Sequence, residues 1–393
     1  MHVTFVGTWV PRRCGIATFT NDLVGAVRAA DPTVRATVAA IDEPEAARRY
    51  GPEVVFRIRQ GDPLSYRDAA RRASGSDVVN VQHEFGLYGV HRDGRWEDHL
   101  VELLTELRAP VITTLHTVLP RPEPWMRDAV REISARSTSV VVMAHRAAEL
   151  LRDVYGVKEA PLVIPHGVPQ VTPGPSDGAK RRLGVEGRTV LSTFGLVDPR
   201  KGIEHAIRAM PEIVAADPTA IYLVVGQTHP ELLKRHGEAY RNELIDLVRS
   251  IGMSDHVAFV DEYLPLDGVV EHLSATDVYV TPYLDPDQIT SGTLAYALGV
   301  GKAVISTRYQ HAVEALADGR GILVDFRSPE QIASAAVTLL RHPEVRQEIE
   351  ERAYAYGRAT TWPAVGRRVL EAMRAIAVPR LEQETIELAA RIA

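Results

Sequence analysis

The nine residues Gln288–Tyr296, QITSGTLAY, place small hydroxyl residues and a glycine where an anion can be held. A buried-strand pattern, Asp277–Tyr283 (DVYVTPY), precedes them, and a helical pattern over Leu294–Leu298 follows. Thr290, Ser291 and Gly292 therefore fall where strand turns into helix. The first N–H groups of a helix lack partners and carry the positive end of its dipole, so they suit an anionic oxygen such as that of a phosphate. Small residues let a ligand approach the backbone. An ordinary Ser/Thr cap accounts for the turn equally well; other residues decide in favour of phosphate.

The first strand ends at Gly7–Thr8, and the loop WVPRRCGIATF leads into a helix with Gly15 just before it. This reads as a second cradle for phosphate or sugar. Arg12 and Arg13 in that loop read as anion ligands, with solvated side chains as the alternative. His83 and Glu84 close the strand of VVNVQHEFG, and His116 closes that of VITTLHT. A lone histidine is usually a satisfied structural residue. Two at equivalent strand ends favour sugar binding, and their spacing alone gives no metal site. His166, in VIPHGVP, lies between the two halves of the chain and stays ambiguous. In the second half LSTFGLV leads into DPRKGIEHAI. Arg200 and Lys201 adjoin a helix start, where arginine grips phosphate oxygens as a fork and lysine as a point charge. A solvated pair is the plain alternative. The small polar loops Gly226–His229 and Asp261–Tyr263 (with Glu262) at the next two strand ends favour the ligand role. No GxGxxG followed by an acidic residue about 20 positions on is present, and no GxxxxGK[ST], so NAD binding and a P-loop are discounted.

The elements that must carry these residues alternate from end to end. Strands are predicted at His2–Val6, Val34–Ile41, Val78–Val81, Val111–Leu115, Ser139–Met143 and Pro161–Ile164. Helices are predicted at Phe19–Ala30, Tyr66–Ala73, Glu97–Leu107, Trp125–Arg136 and Arg146–Tyr155. After the Pro- and Gly-rich stretch HGVPQVTPGPSDGAKRR, the pattern restarts. Strands follow at Thr189–Phe194, Ala220–Val225, Val257–Val260, Val278–Tyr283, Ala303–Ser306 and Gly321–Val324. Helices follow at Ile203–Ala215, Tyr240–Ile251, Leu266–Ser274, Gly292–Gly299, Glu314–Ala317, Pro329–Leu340 and Pro343–Ala359. Buried strands alternating with helices indicate parallel sheets. The expected division is 1–168, a linker at 169–186, a second domain at 187–360, and a long amphipathic helix over 361–393 that crosses back to the first half. Open parallel sheets bind ligands at the carboxyl ends of their strands, so two in tandem imply a cleft gripped by loops from both halves.

At 393 residues the chain is long for a single core. Its net charge of -6 gives no global basic field for nucleic acid. Cys14 is the only cysteine, which excludes an internal disulfide and paired-cysteine metal sites. The opening MHVTFVGTWV runs directly into a strand with no charged leader and apolar core, and no apolar run approaches a membrane span. A cytoplasmic location is expected. Weak peripheral membrane contact stays open through Trp125, Met126, Arg127 and Arg131 on one helix, against the plainer reading of a solvated face.

On these residues the chain resembles a retaining glycosyltransferase of the large family 4 group, with the GT-B fold. The resemblance spans nearly the whole length. Its landmarks are PRRCGIATF, the strand-end His116, VIPHGV, GLVDPRKG and YALGVGKAVIST. It implies two Rossmann-like doubly wound domains whose parallel sheets face an interdomain cleft, the first on the acceptor side and the second binding the donor. It implies a hexose moved from a nucleotide sugar, UDP- or GDP-linked, to a hydroxyl of a carbohydrate or other acceptor, with no cofactor and no metal. His116 would contact the donor sugar near the reacting carbon. Lys201 would hold the leaving diphosphate, Gly15 would approach the donor phosphate or the acceptor, and the Thr290–Thr293 backbone would bind phosphates and sugar. Gln288 joins the catalytic set, Arg200, Tyr296 and Glu262 the donor set, and His83, Glu84 and Arg13 the acceptor or sugar set. The irregular loop Leu87–Arg95 is expected to touch the acceptor.

Two departures stand out. The family carries two glutamates eight residues apart around the phosphate turn; here Gln288 and Tyr296 stand there. Glutamine can still hydrogen-bond sugar hydroxyls, but tyrosine cannot accept two ribose hydroxyls as a carboxylate does. The family's arginine five residues before the lysine is Leu196 here, with Arg200 as a substitute. Two alternatives therefore stay open: a glycoside phosphorylase of the same fold using inorganic phosphate or a sugar 1-phosphate, and a catalytically silent sugar-binding module.

Overall fold

The structure, a computed structural model, describes residues 1–43, 46, 48–92 and 95–392, with backbone only for 91, 92, 95, 96 and 378–392. The chain divides into two compact units, one of Met1–Gly167 with Trp362–Ala393 and one of Val168–Thr361.

The strands are β1 His2–Gly7, β2 Arg35–Asp42, β3 Val54–Arg59, β4 Val78–His83, β5 Gly89–Arg92, β6 Arg95–Asp98, β7 Val111–Leu115, β8 Ser139–Val142, β9 Leu162–Val163, β10 Thr189–Phe194, β11 Ala220–Val225, β12 Val257–Val260, β13 Val278–Thr281, β14 Ala303–Thr307 and β15 Ile322–Val324. In the first unit seven of them form a sheet in the order β3-β2-β1-β4-β7-β8-β9, with every neighbouring pair parallel. The order reverses between β1 and β4, and that is where an open α/β sheet leaves a crevice at its carboxyl edge. Near-continuous apolar runs suit strands covered on both faces, and all six residues of β4 are buried.

β3 was not among the expected strands. It lies at the sheet edge, and its VVFRIR alternates between more and less buried positions, with Arg57 and Arg59 exposed. A search for continuous apolar runs passes over such a strand. β5 and β6 form an antiparallel hairpin where an irregular acceptor loop over 87–95 was expected, and the next helix starts at Leu100. Residues 93 and 94, and the side chains of 91–96, lie outside the described residues.

The helix Gly15–Ala30 begins earlier than its apolar pattern, because Cys14 caps it, Sγ accepting the Ala17 N–H at 3.4 Å. The last helix, Trp362–Ile392, packs on it so closely that a Cβ on Gly366 would lie 2.5 Å from the Ala26 carbonyl oxygen. Val3, Phe5, Leu23, Ile112, Val365, Leu370 and Met373 share the core beneath.

The second unit holds a six-stranded parallel sheet in the order β12-β11-β10-β13-β14-β15, reversing between β10 and β13. Its core gathers Leu191, Ile207, Met210, Val224, Val278 and Ile305. The stretch read as a linker contains a short helix, Asp177–Arg182, whose Lys180 donates to Asp277 at 2.6 Å and to the Arg188 carbonyl at 2.9 Å. Six residues are too few to display helical periodicity. The helix Pro230–His236 was likewise unexpected, and Gln310–Ala315 replaces the predicted Glu314–Ala317.

Candidate functional site

In the second unit the loops after β10 and β13 meet at the point where strand order reverses. β10 runs out at Phe194, and Gly195 follows with φ +130° against Thr293, whose Cγ2 would be 3.2 Å from an added Cβ. Pro199–Lys201 form one 3₁₀ turn, and Gly202, at φ +60°, opens the helix Ile203–Ala216. A Cβ there would stand 2.2 Å from the Pro282 carbonyl oxygen, so glycine is required by conformation and by contact. The Leu284 N–H donates to the Arg200 carbonyl at 2.8 Å, knitting the two loops together.

Arg200 and Lys201 are held differently. The Arg200 fork lies on Asp198, Nε to Oδ1 at 2.9 Å and Nη2 to Oδ2 at 3.0 Å. Burial works against the charge of Asp198, but the hydrogen bonds from Arg200 prevail and hold its carboxyl below the usual range. Lys201 instead extends over Tyr283, its Nζ 3.8 Å from the ring centroid. The Tyr283 hydroxyl in turn shares a 2.6 Å hydrogen bond with Thr293 Oγ1.

Thr293 belongs to the first turn of the helix Gly292–Val300. Ser291 caps it, Oγ accepting the Leu294 N–H at 3.3 Å. The Ser291 N–H donates to His311 Nδ1 at 2.9 Å, so the backbone donors that lead this helix are those of Gly292 and Thr293. Gln288 folds back on the same turn, Nε2 donating to the Thr290 carbonyl at 3.0 Å. Tyr296 is buried, its ring stacked on Phe194 at 6.3 Å. Glu262 is exposed in the loop after β12; beside it Asp261 pairs with the buried Arg241 at 3.0 Å. Lys201, Ser291, Gly292 and Thr293 are thus assembled through Tyr283. Gln288 and His311 brace the turn, Tyr296 lies under it, and no contact ties Glu262 to the group among the described residues.

In the first unit His83 closes β4, His116 follows β7, and His166 follows β9. His83 is fully buried between the Phe85 ring, edge-on at 5.0 Å, and the Tyr88 ring, stacked at 5.9 Å. Neither of its ring nitrogens has a hydrogen-bond partner among the described residues. Burial lowers its pKa to about 3. His116 lies edge-on to Phe19 at 4.7 Å, with Nε2 2.8 Å from Gln82 Oε1. Gln82 uses its Nε2 on Asn80 Oδ1, which makes Oε1 the acceptor for His116 and leaves His116 Nδ1 with acceptor character. Burial, then the charges of His166 and His83, lower the His116 pKa to about 3. His166, against Phe19 and Trp362, is lowered to about 4 by burial, with the Gly167 carbonyl opposing. All three are neutral imidazoles at neutral pH, able to donate or accept hydrogen bonds without charge.

Glu84 accepts from Thr117 Oγ1 at 2.7 Å. Gly15 is exposed, and a Cβ on it would meet nothing within 4 Å, so packing does not demand glycine there. Arg13 is exposed, while Arg12 pairs with Glu43 at 3.3 Å. On the helix Pro124–Arg136, Trp125 is 41 % exposed and meets the Phe85 ring edge-on at 5.6 Å. Among the described residues no helix is long and apolar enough to cross a membrane. The roles of Tyr283, His311, Asp198 and Arg241 are not among those expected from the sequence. Tyr283 closes the predicted strand DVYVTPY, a position that could have drawn notice; the others act through partners distant in sequence.

Residues 14–170 match the family model described as Glycosyltransferase Family 4, and residues 188–342 that described as Glycosyl transferases group 1. A D-inositol 3-phosphate glycosyltransferase of Geodermatophilus obscurus is 30 % identical over 289 residues, covering 67 % of this chain and 62 % of that protein. Its counterpart from Rhodococcus opacus is 26 % identical over 313 residues, 75 % of this chain and 69 % of the relative. A GDP-mannose-dependent alpha-(1-6)-phosphatidylinositol monomannoside mannosyltransferase of Mycolicibacterium smegmatis is 27 % identical over 232 residues, 56 % of this chain and 57 % of that one. The chain thus spans under two thirds of the first and last of these. Among solved structures, Anabaena HepE in complex with UDP and glucose superposes with a TM-score of 0.73 at 16 % identity, over 95 % of this chain and 100 % of that one. Sucrose-phosphate synthase from Thermosynechococcus elongatus gives 0.74 at 16 % identity, over 96 % and 100 %. With its two parallel α/β units, the chain belongs to the family 4 glycosyltransferases, the glycosyl transferases group 1, of the GT-B fold.

Proposed function

We propose that the protein is a retaining, metal-independent hexosyltransferase that takes a UDP- or GDP-hexose as donor and a hydroxyl of a carbohydrate or other molecule as acceptor. One observation carries this reading: Lys201 and the helix start at Ser291–Thr293 are joined through Tyr283 at the carboxyl edge where strand order reverses. A cation and helix-terminal N–H groups together can bind a diphosphate and take up the charge it gains on leaving. The second unit is assigned the donor diphosphate. The first, with His116, Glu84 and Arg13, is assigned sugar and acceptor contacts, and Gly15 an approach to the donor phosphate or the acceptor; His83, expected among them, is enclosed between Phe85 and Tyr88 with no exposed surface to offer a sugar. The GDP-mannose in the name of the mycobacterial relative supports a nucleotide-hexose donor.

In this mechanism the bond from the anomeric carbon to the phosphate oxygen breaks, and its electron pair leaves on the diphosphate. The acceptor oxygen bonds to the same face, and its proton passes to the departing phosphate oxygen. Neutral His116 supplies a hydrogen bond to the sugar near the reacting carbon, and Gln288 supplies another to its hydroxyls. Lys201 and the Gly292 and Thr293 N–H groups hold the leaving group.

Tyr296 favours a second reading. Where a ribose-holding carboxylate is expected, an aromatic ring packs on Phe194. A glycoside phosphorylase would need no ribose contact and would place inorganic phosphate beside Lys201. A silent binding module is the third. A panel of nucleotide sugars with several acceptors, followed by thermal shift and nucleotide release, separates them. Nucleoside diphosphate release indifferent to phosphate supports transfer. Phosphate-dependent release of a sugar 1-phosphate from a disaccharide supports phosphorolysis, and binding without turnover at high enzyme concentration supports the silent module.

A further inference from the structure

We propose that Tyr283 is a positioning residue of the anion site, its ring carrying the Lys201 ammonium while its hydroxyl holds Thr293, so that cation and helix start meet a diphosphate as one preset pair. The inference rests on the phosphate-binding role given above to Lys201 and the 291–293 turn.

Tyr283 is fully buried and fixed along its whole length. Its carbonyl accepts the Thr307 hydroxyl at 2.6 Å, and its ring stacks with Tyr309 at 5.4 Å and 19°. The next residue donates its N–H to the Arg200 carbonyl. The two functional contacts come from opposite chemical ends of the side chain. The π face attracts Lys201 Nζ at 3.8 Å, and the hydroxyl bonds Thr293 Oγ1 at 2.6 Å; Thr293 Oγ1 is 3.1 Å from Ser291 Oγ.

The choice of an aromatic partner matters. An ammonium on a flexible four-carbon stem needs something to hold it in place before a ligand arrives. A carboxylate would hold it but neutralise it, as Asp198 does for the neighbouring Arg200. An aromatic face attracts the cation through its quadrupole and uses no hydrogen-bond acceptor, so the charge and donors of Lys201 stay available to a phosphate. Among the described residues Lys201 has no carboxylate partner. Thr293 is fixed by the same ring system, so its N–H and the ammonium keep a set separation. A diphosphate offers such a pair two anionic groups, where a single phosphate offers one.

The test is calorimetry of UDP, GDP and inorganic pyrophosphate binding to the parent, Tyr283→Phe, Tyr283→Leu, Lys201→Ala and the two double variants. Tyr283→Phe keeps the π face and loses the hydroxyl, and is expected to weaken pyrophosphate roughly twofold to tenfold. Tyr283→Leu also loses the cation contact, and a further roughly twofold to thirtyfold is expected. Lys201→Ala should cost as much in the Phe background as in the parent, and much less in the Leu background. Parent-like affinity in Tyr283→Leu, or penalties that simply multiply in that background, overturns the proposal. Parent-like binding by Tyr283→Phe overturns the Thr293 arm. If Lys201→Ala itself binds pyrophosphate like the parent, the anion-site reading falls, an outcome separate from the failure of Tyr283. Should Tyr283→Leu not fold by circular dichroism, Tyr283→Met keeps the bulk without a π face and takes its place.

Discussion

Acid should destabilise the first unit through His83, His116 and His166, whose charging the fold disfavours. His83 and His116 are lowered to about 3 and His166 to about 4, each chiefly by burial, from an ordinary value of 6.5. Between those values the unfolded chain binds protons that the folded unit does not, so stability rises with pH across the window. The stability is fully present above about pH 6.5 and is lost as pH falls toward 3–4. At pH 5 each neutral histidine costs up to about 2 kcal/mol relative to pH 7, since one pH unit per proton is about 1.4 kcal/mol. Together the three remove up to about 6 kcal/mol, comparable with the whole stability of a marginal domain. The assay is urea denaturation at pH 7 and pH 5, with unfolding of the first unit followed by tryptophan fluorescence. The control is His83→Phe, which removes one titrating group whose nitrogens make no hydrogen bond; it should shrink the pH difference by about a third. Equal midpoints at pH 7 and pH 5 in the parent would mean that the histidines are protonated in the fold or that their environment is open to water, against this prediction.

Other outcomes are expected. Gly202→Ala places a Cβ 2.2 Å from the Pro282 carbonyl at φ +60°, so it should cost at least about 1–2 kcal/mol from the dihedral alone. Through the loop pairing with Leu284 it should also lower nucleotide affinity, read by thermal denaturation beside calorimetry. His116→Ala and Lys201→Ala should fail differently. Lys201→Ala should weaken nucleotide binding and turnover together by about 1.5–3 kcal/mol, roughly tenfold to more than a hundredfold. His116→Ala should lower turnover more than affinity, because its contact matters most as the bond breaks. A Lys201→Ala protein that binds and turns over like the parent contradicts the phosphate role.

The alternation of apolar runs with helical patterns was enough to place both parallel sheets, because strands covered on two faces have no polar side to confuse the pattern. β3 escaped because an edge strand with outward Arg57 and Arg59 lacks that continuity. The start of the helix Gly15–Ala30 escaped because its cap is a cysteine, which is not among the usual capping residues. The small residues of the Ser291 turn were legible from their place between strand and helix. Its bracing was not: His311 reaches back twenty positions and Tyr283 joins two loops, contacts that no local pattern encodes. The histidines were visible as polar residues at strand ends, but their neutrality follows from burial among Phe19, Phe85 and Tyr88, which only the packed unit reveals.

In the proposed reaction an anomeric bond is exchanged with its configuration kept, from a nucleotide sugar to a hydroxyl. Proton NMR of the anomeric region during turnover, with an α-linked UDP- or GDP-hexose and a matched acceptor in the presence of a chelator, tests it most directly. A first-formed product with an α linkage is expected, appearing in step with free nucleoside diphosphate and unaffected by the chelator. A β-linked first product, or turnover that stops when the chelator is added, would contradict it.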